Sequence, residues 1–154
     1  REVILDGLAE IIGTIHQTGG LAGIHVCANT DWSMLMDADA DLISFDAYTY
    51  FDRLILYQDE IVEFMNAGKY LAWGIVPTVR ADDIEKETVD SLTRQFRSQT
   101  EHLFALGIDT KIVLRQSLIT PSCGTGAITP LQAEKILWLT KGVSDKMRRE
   151  ERYA

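Results

Sequence analysis

The sequence predicts an α/β protein in which four parallel β-strands alternate with α-helices. Short apolar segments of strand length are separated by stretches in which apolar residues recur at the three- and four-residue spacing of a helix. The third of these segments, 70–76, is apolar almost throughout, which is typical of a parallel strand buried on both faces. At 154 residues, 46% of them hydrophobic and 25% charged, the chain has the size and composition of one globular domain.

Local signals predict the elements in the first third of the chain. An amphipathic helix begins near Val3 and ends before Gly19. The first strand is expected over 21–28, directly after this stop. Residues 29–31 supply N-cap side chains for a short helix, and the second strand is expected over 42–48.

The middle of the chain continues the alternation. A second helical pattern, interrupted near Gln58, ends at Gly68 and leads into the third strand. The longest helix is expected over 82–106, because apolar residues keep to one side of this stretch and Gly107 provides its stop.

The last strand and helix have clear boundaries. Residues 111–116 fit either a short helix or a strand, whereas 117–121 is expected to be the fourth strand. Thr129 is then a good N-cap, Pro130 suits the first helical position, and Gln132 completes a capping box. These three residues predict the start of the final helix.

Charge and hydropathy exclude several classes of function. The net charge of −8 argues against binding to nucleic acid or an anionic membrane, since lysine and arginine supply the affinity for both. The apolar segments are far shorter than the roughly 18 residues that suggest a membrane span, and no basic-then-apolar leader opens the sequence. We therefore expect a cytoplasmic protein whose partners are small molecules.

Two cysteines and a histidine predict a metal site. His25 and Cys27 are two residues apart in the first predicted strand, so their side chains point to the same face. Imidazole and thiolate together are ligands that zinc prefers. Cys123 follows the fourth strand and Asp46 ends the second, so all four residues lie at carboxyl ends of strands, where parallel sheets build their sites.

Each candidate ligand also has a structural alternative. Asp46 could instead cap a helix or orient His25 through a hydrogen bond. Cys27 alone could be a small core residue, and a Cys27–Cys123 disulfide stays open as an alternative. A close Cys/His pair in a cytosolic chain nevertheless indicates metal binding or catalysis more often than a disulfide.

Four further residues are candidates for lining a substrate pocket near the strand ends. They are Tyr48, Trp73, Ser122 and Gly124. For Trp73, packing in the core is an equal alternative.

Three motifs give the chain a family resemblance. His-Val-Cys at 25–27, Ile-Ser-Phe-Asp at 43–46 and Pro-Ser-Cys-Gly at 121–124 follow one another in that order. With this order and spacing, nearly the whole chain resembles the superfamily that contains the catalytic C-terminal barrel of cobalamin-independent methionine synthase and the uroporphyrinogen decarboxylase-like methyltransferases. The resemblance implies that His25, Cys27, Cys123 and an acidic residue bind zinc. In the family that acidic residue is commonly glutamate, whereas this sequence has the shorter Asp46.

The resemblance also implies a fold and a state of assembly. The family fold is a (β/α)8 barrel, and the motifs correspond to its last four strands. Since a complete barrel needs roughly 250 residues, we expect residues 1–154 to be a single domain that forms the C-terminal half of a barrel, a fragment of a longer protein. An open four-stranded parallel sheet is the alternative. Half a barrel exposes sheet edges and an apolar face, so we expect a homodimer or association with the missing half.

The activity implied by the resemblance is zinc-dependent methyl transfer to a thiol, as in methionine biosynthesis. The methyl donor would be methylcobalamin or a methylated folate, and homocysteine would be the acceptor. Zinc suits this chemistry because it keeps a thiol deprotonated near neutral pH without a dedicated base. A metal-free decarboxylase acting on a tetrapyrrole is an alternative against which the His-x-Cys pair argues. An inactive fragment that assembles through its exposed sheet is another.

Overall fold

A computed structural model of the chain describes residues 1–151 and shows helices packed around one four-stranded sheet. The strands are β1 (Gly23–Val26), β2 (Leu42–Phe45), β3 (Tyr70–Val76) and β4 (Ser117–Pro121). The helices are α1 (Glu2–Gln17), α2 (Trp32–Asp37), α3 (Ala47–Leu54), α4 (Gln58–Asn66), α5 (Ala81–Lys86), α6 (Val89–Ala105), α7 (Thr110–Arg115) and α8 (Pro130–Glu151). None of these helices combines the length and the apolar character needed to cross a membrane.

The four strands are all parallel and follow one another across the sheet in the order β1-β2-β3-β4. This confirms the predicted fold class, an α/β protein with an open parallel sheet. Connections between neighbouring parallel strands are almost always right-handed, so an order that runs in one direction places every connecting helix on the same face. The same arrangement fits half of a (β/α)8 barrel.

The helix-covered face of the sheet carries the main core. Trp73 of β3 lies at its centre and is fully buried, with ring centroids 5.4 Å from Phe45, 5.8 Å from Phe51 and 5.3 Å from Phe96. Its Nε1 donates a hydrogen bond to Ser117 Oγ at 2.8 Å, so the indole loses no polar contact on burial. Burial of these aromatic side chains is what fixes the helices against the sheet.

The opposite face of the sheet has no helix over it among the described residues. The register aligns His25 with Ser44, Ser44 with Ala72 and Ala72 with Leu118, so these side chains share that face. Leu118 is 43% exposed and Tyr70, at the start of β3, is 37% exposed. The prediction that 70–76 is buried is confirmed for 71–76 and was wrong at Tyr70, the first residue of the strand, whose side chain lies on this uncovered face. We call this side of the sheet the bare face.

The sheet is curled so that the bare face is concave. Leu21 and Gly23, at β1, line the same depression as Leu118, on β4, although β2 and β3 lie between these strands. The depression has a volume of about 240 Å³, and Leu42 and Tyr70 complete its apolar floor. Curvature in this direction is the curvature of a barrel wall, with the helices outside.

The strands are shorter than predicted where polar residues take over. The first strand covers 23–26 rather than 21–28, and the second covers 42–45 rather than 42–48. The second strand ends early because Asp46 caps α3, accepting a hydrogen bond at 2.9 Å from the backbone N–H of Thr49. A capping carboxylate thus stands where the sequence indicated the end of a strand.

The helix predicted over 82–106 is two helices, α5 and α6. Glu87 and Thr88 are extended, and the Thr88 side chain accepts a hydrogen bond from the N–H of Ser91 in a capping box. A threonine that caps a helix competes with helix continuation, which the apolar spacing alone does not reveal. The longest described helix is therefore α8, and Thr129 and Gln132 form its predicted capping box.

The bare face predicts that the purified chain self-associates. An exposed apolar face seeks cover, and in a purified sample a second copy is the cover at hand. At micromolar concentration we expect sedimentation to give a mass above the 17.3 kDa of one chain. Leu118→Asp should shift the distribution toward the monomer by placing a charge on the bare face.

The matched control is Leu56→Asp. Leu56 is 68% exposed but lies between α3 and α4, off the sheet, so this variant should sediment like the wild-type chain. A wild-type chain that sediments as a stable monomer would contradict the prediction.

Candidate metal centre

His25, Cys27 and Cys123 meet at the carboxyl end of the sheet, on its concave side. One ligand atom from each residue lies within 4.8 Å of the other two. His25 belongs to β1 and Cys27 follows it directly, while Cys123 comes from the segment after β4. The three side chains therefore reach one another from the two outermost strands of the sheet.

This meeting requires the chain after β4 to cross back over β3. Neighbouring strands are about 4.8 Å apart, so β1 and β4 would be about 14 Å apart in a flat sheet. The register of β3 and β4 shifts between Gly74 and Val76, where one extra residue bends the strand. An ideal Cβ on Gly74 would lie 2.7 Å from the Cα of Ser122 and 2.5 Å from the carbonyl oxygen of Phe45. The crossing chain thus occupies the space that any other side chain at position 74 would need.

Hydrogen bonds hold the crossing segment in place. The backbone N–H of Ser122 donates to the carbonyl oxygen of Val76 at 2.8 Å. The Ser122 and Thr78 hydroxyls are buried and hydrogen-bonded to each other at 3.0 Å. Ser122, predicted as a pocket residue, thereby fixes the position of Cys123 next to it. Thr78 carries no sequence signal for this role, because the contact joins two loops that follow different strands.

Asp46 lies close to the three ligand residues but outside their group. Its side chain is 4% exposed and caps α3 through the hydrogen bond from Thr49. Burial raises the pKa of Asp46, and the hydrogen bonds from the Thr49 and Tyr48 backbone N–H groups only partly offset this effect. Of the alternatives left open by the sequence, the cap is the one with a hydrogen bond in the structure.

His25 contacts Ser44, a residue that was not among the predicted site residues. The Nδ1 atom of His25 lies 3.0 Å from Ser44 Oγ, directly across the β1–β2 pairing. A signal for Ser44 was present, since it is a polar residue in an apolar strand, two residues before Asp46 and on the face that His25 shares.

The two cysteines are reduced in this structure, and Cys123 affects the ionisation of Cys27. A hydrogen bond between the thiols and the charge of Cys123 raise the pKa of Cys27, to which burial adds a smaller contribution. Two thiolates this close repel each other, so the doubly ionised pair needs a cation nearby. A bound metal ion would supply that charge and deprotonate both thiols.

The donor set fits zinc. Tetrahedral zinc, with bonds of about 2.3 Å to sulfur and about 2.1 Å to nitrogen, holds its ligand atoms roughly 3.5–3.8 Å apart. The three ligand atoms lie within 4.8 Å of one another in this structure. Small side-chain rotations can bring them to the zinc spacing, because Cys27 and His25 are exposed. One imidazole and two thiolates are the mixture that zinc prefers, and three protein ligands leave a fourth position for a substrate.

A cavity of about 300 Å³ is lined by Cys27, one of the three ligand residues, and is large enough for a small polar molecule. Tyr48 lines it, and the phenolic O–H donates a hydrogen bond to Glu87 Oε1 at 2.9 Å. Burial raises the pKa of Tyr48, and the bond to Glu87 adds to the effect, so the phenol stays protonated at neutral pH. Other lining residues include Asp46, Thr78, Arg80 and Ser122.

Two of the predicted pocket residues do not line this cavity. Trp73 is fully buried in the core on the helix-covered face, so core packing is the role that the structure gives it. Gly124 is exposed after Cys123, and a Cβ on it would meet no atom within 4 Å. A separate depression of about 310 Å³ along the open edge of β4 is lined by none of the candidate site residues.

Comparison of the chain with protein-family models, with curated proteins and with solved structures found no match.

Gly74→Ala tests whether the crossing segment positions the site. The added methyl group has no space against the Ser122 backbone, so we expect a loss of about 1–3 kcal/mol in the free energy of unfolding and loss of metal binding. Gly124→Ala is the control, since it makes the same change in open space next to Cys123. It should stay within about 0.5 kcal/mol of the wild-type value in urea unfolding. Equal effects of the two substitutions would contradict the assignment.

Asp46→Ala and Asp46→Asn separate the cap from the charge. Alanine removes the cap and should cost about 0.5–2 kcal/mol of stability, whereas asparagine can still accept the Thr49 hydrogen bond. A folded-state pKa above the unfolded value means that the native state holds the proton more tightly. The cost of burying the carboxylate is therefore full above the folded pKa and fades as the pH falls through it.

The measurement is urea unfolding of wild type and Asp46→Asn at pH 7 and again near the ordinary carboxyl pKa of 3.8. We expect the stability of wild type to gain on that of Asp46→Asn as the pH falls. A gain of Asp46→Asn over wild type on acidification would show that the carboxylate stabilises the fold.

Proposed function

We propose that this protein is a zinc-dependent enzyme that transfers a methyl group to a small-molecule thiol. The observation that supports this proposal most strongly is the approach of one imidazole and two thiols to within 4.8 Å at the carboxyl end of a parallel sheet. Zinc held by two thiolates is electron-rich, so it would present an acceptor thiol as a thiolate that is still nucleophilic at neutral pH.

The residues of the chain would have distinct roles in this enzyme. His25, Cys27 and Cys123 would hold the metal, and Asp46 would keep α3 in place beside it. Tyr48 and the residues around it would bind the acceptor in the adjoining cavity. The concave side of the sheet would confine the donor and acceptor to one side of the metal.

The resemblance of the three motifs to methionine synthase-like methyltransferases supports homocysteine as the acceptor. The cavity also suits a small acceptor with charged groups, because Arg80 and Asp83 both line it. We propose methylcobalamin or a methylated folate as the donor, since each carries a methyl group that a thiolate can attack.

The proposal predicts about one zinc ion per chain in protein purified without added metal. Cys27→Ser and Cys123→Ser should each lose most of the zinc, because each removes a metal–sulfur bond. Asp46→Asn should retain it, because that side chain caps a helix. Elemental analysis measures the content. Absence of zinc from the wild-type protein would overturn the proposal, and a loss in Asp46→Asn equal to that in Cys123→Ser would make Asp46 a ligand.

The activity test is methionine formation from homocysteine with each of the two donors. Zinc-loaded wild-type protein should form methionine faster than Cys123→Ser, the variant that keeps the cavity but lacks a metal ligand. Rates that are equal for the two proteins with both donors would refute a zinc-dependent methyl transfer by this chain.

A further inference from the structure

We infer that Ser44 is a positioning residue for the metal centre, which holds His25 in the tautomer that leaves Nε2 available to bind the metal. This inference rests on the proposed zinc site. It concerns a residue that lies outside the ligand set and that makes one specific contact with it.

The sheet places Ser44 opposite His25. The two residues are direct partners in the parallel pairing of β1 and β2, so their side chains stand side by side on the bare face. On the far side of Ser44 the next partner in the register is Ala72, which offers no polar side chain. Ser44 is therefore the one hydrogen-bonding side chain that the neighbouring strand presents at this register position.

The contact with Ser44 engages Nδ1 of His25 and leaves Nε2 for the metal. Ser44 Oγ lies 3.0 Å from Nδ1, and the hydroxyl accepts a hydrogen bond when Nδ1 carries the proton or donates one when Nε2 carries it. Metal binding through Nε2 requires the first arrangement. A neutral imidazole with its proton on Nδ1 has a lone pair on Nε2, which is the form that binds a metal. The ring is exposed, so this bond is what limits its rotation.

Asp46 does not take this role. Its carboxylate accepts the hydrogen bond from Thr49 at the start of α3, and Ser44 is the only side chain in residues 1–151 that hydrogen-bonds to His25. A neutral hydroxyl also suits a site with two thiolates, because two negative charges already balance the charge of a zinc ion. A carboxylate bonded to the imidazole would add further negative charge to this site.

Partners that orient a metal-binding histidine are worth about 10–100-fold in metal affinity. We therefore expect Ser44→Ala to lower zinc affinity by about that factor, as measured by competition with a chelator. Ser44→Thr keeps the hydroxyl on a β-branched side chain that suits a strand, and it should restore most of the affinity. Far-UV circular dichroism of the metal-free variants shows whether they keep the fold.

The matched control is Thr120→Val. Thr120 pairs with Gly74, which places it on the same face of the sheet as Ser44, and its buried hydroxyl has no hydrogen-bond partner among the described residues. Its removal takes a hydroxyl from the same face without breaking a bond. The zinc affinity of Thr120→Val should therefore stay within a factor of about two to three of the wild-type affinity.

The direct readout is the tautomer of His25, measured by long-range ¹H–¹⁵N NMR on metal-free protein at a pH where the ring is neutral. Wild type and Ser44→Thr should show Nδ1–H, and Ser44→Ala should show a larger Nε2–H population. An unchanged tautomer with unchanged affinity in Ser44→Ala would overturn the inference. The tautomer is measured on metal-free protein, so this measurement decides the role of Ser44 even if the wild-type protein binds no zinc. Absence of zinc binding would refute only the proposed function.

Discussion

The close approach of the Ser122 backbone to Gly74 is the contact on which the candidate site depends. His25 and Cys27 come from one outer strand and Cys123 from beyond the other, at positions that a flat sheet would keep about 14 Å apart. The curl of the sheet shortens that distance, and the chain after β4 covers the rest by crossing β3 where position 74 has no side chain. The absence of a side chain at Gly74 thus allows the three ligand residues to meet.

The metal centre and the bare face are two parts of one concave surface. His25 and Ser44 stand on it near the carboxyl ends of their strands, and Leu42 and Tyr70 stand at the amino ends of theirs. The half at the carboxyl ends carries polar and metal-binding groups that need access to solvent and substrate. The half at the amino ends is apolar, and its exposure to water is unfavourable. A binding partner that covers only the half at the amino ends would bury the apolar side chains and leave the metal-binding groups accessible.

Much of the fold could be predicted because strong local signals agree with the tertiary structure. Gly68 and Pro77 enclose an apolar run that is β3, 117–121 is β4, and Thr129 with Pro130 starts α8. The sequence also predicted that His25, Cys27 and Cys123 meet, because parallel strands align their carboxyl ends. That they bind zinc stays a prediction.

The errors have physical causes that one sequence does not show. Asp46 and Thr88 act as caps, and whether a capping side chain ends an element depends on the backbone around it. The face on which Trp73 lies follows from its register with Phe45 and Ile119, which is a property of the assembled sheet. Ser44 acquires its contact with His25 only through strand pairing, at a separation of 19 residues along the chain.

Zinc K-edge X-ray absorption on protein as purified is the most direct test of the proposed metal centre. We expect a zinc shell with two sulfur atoms at about 2.3 Å and nitrogen or oxygen at about 2.0–2.1 Å. A shell made of nitrogen and oxygen alone would contradict it.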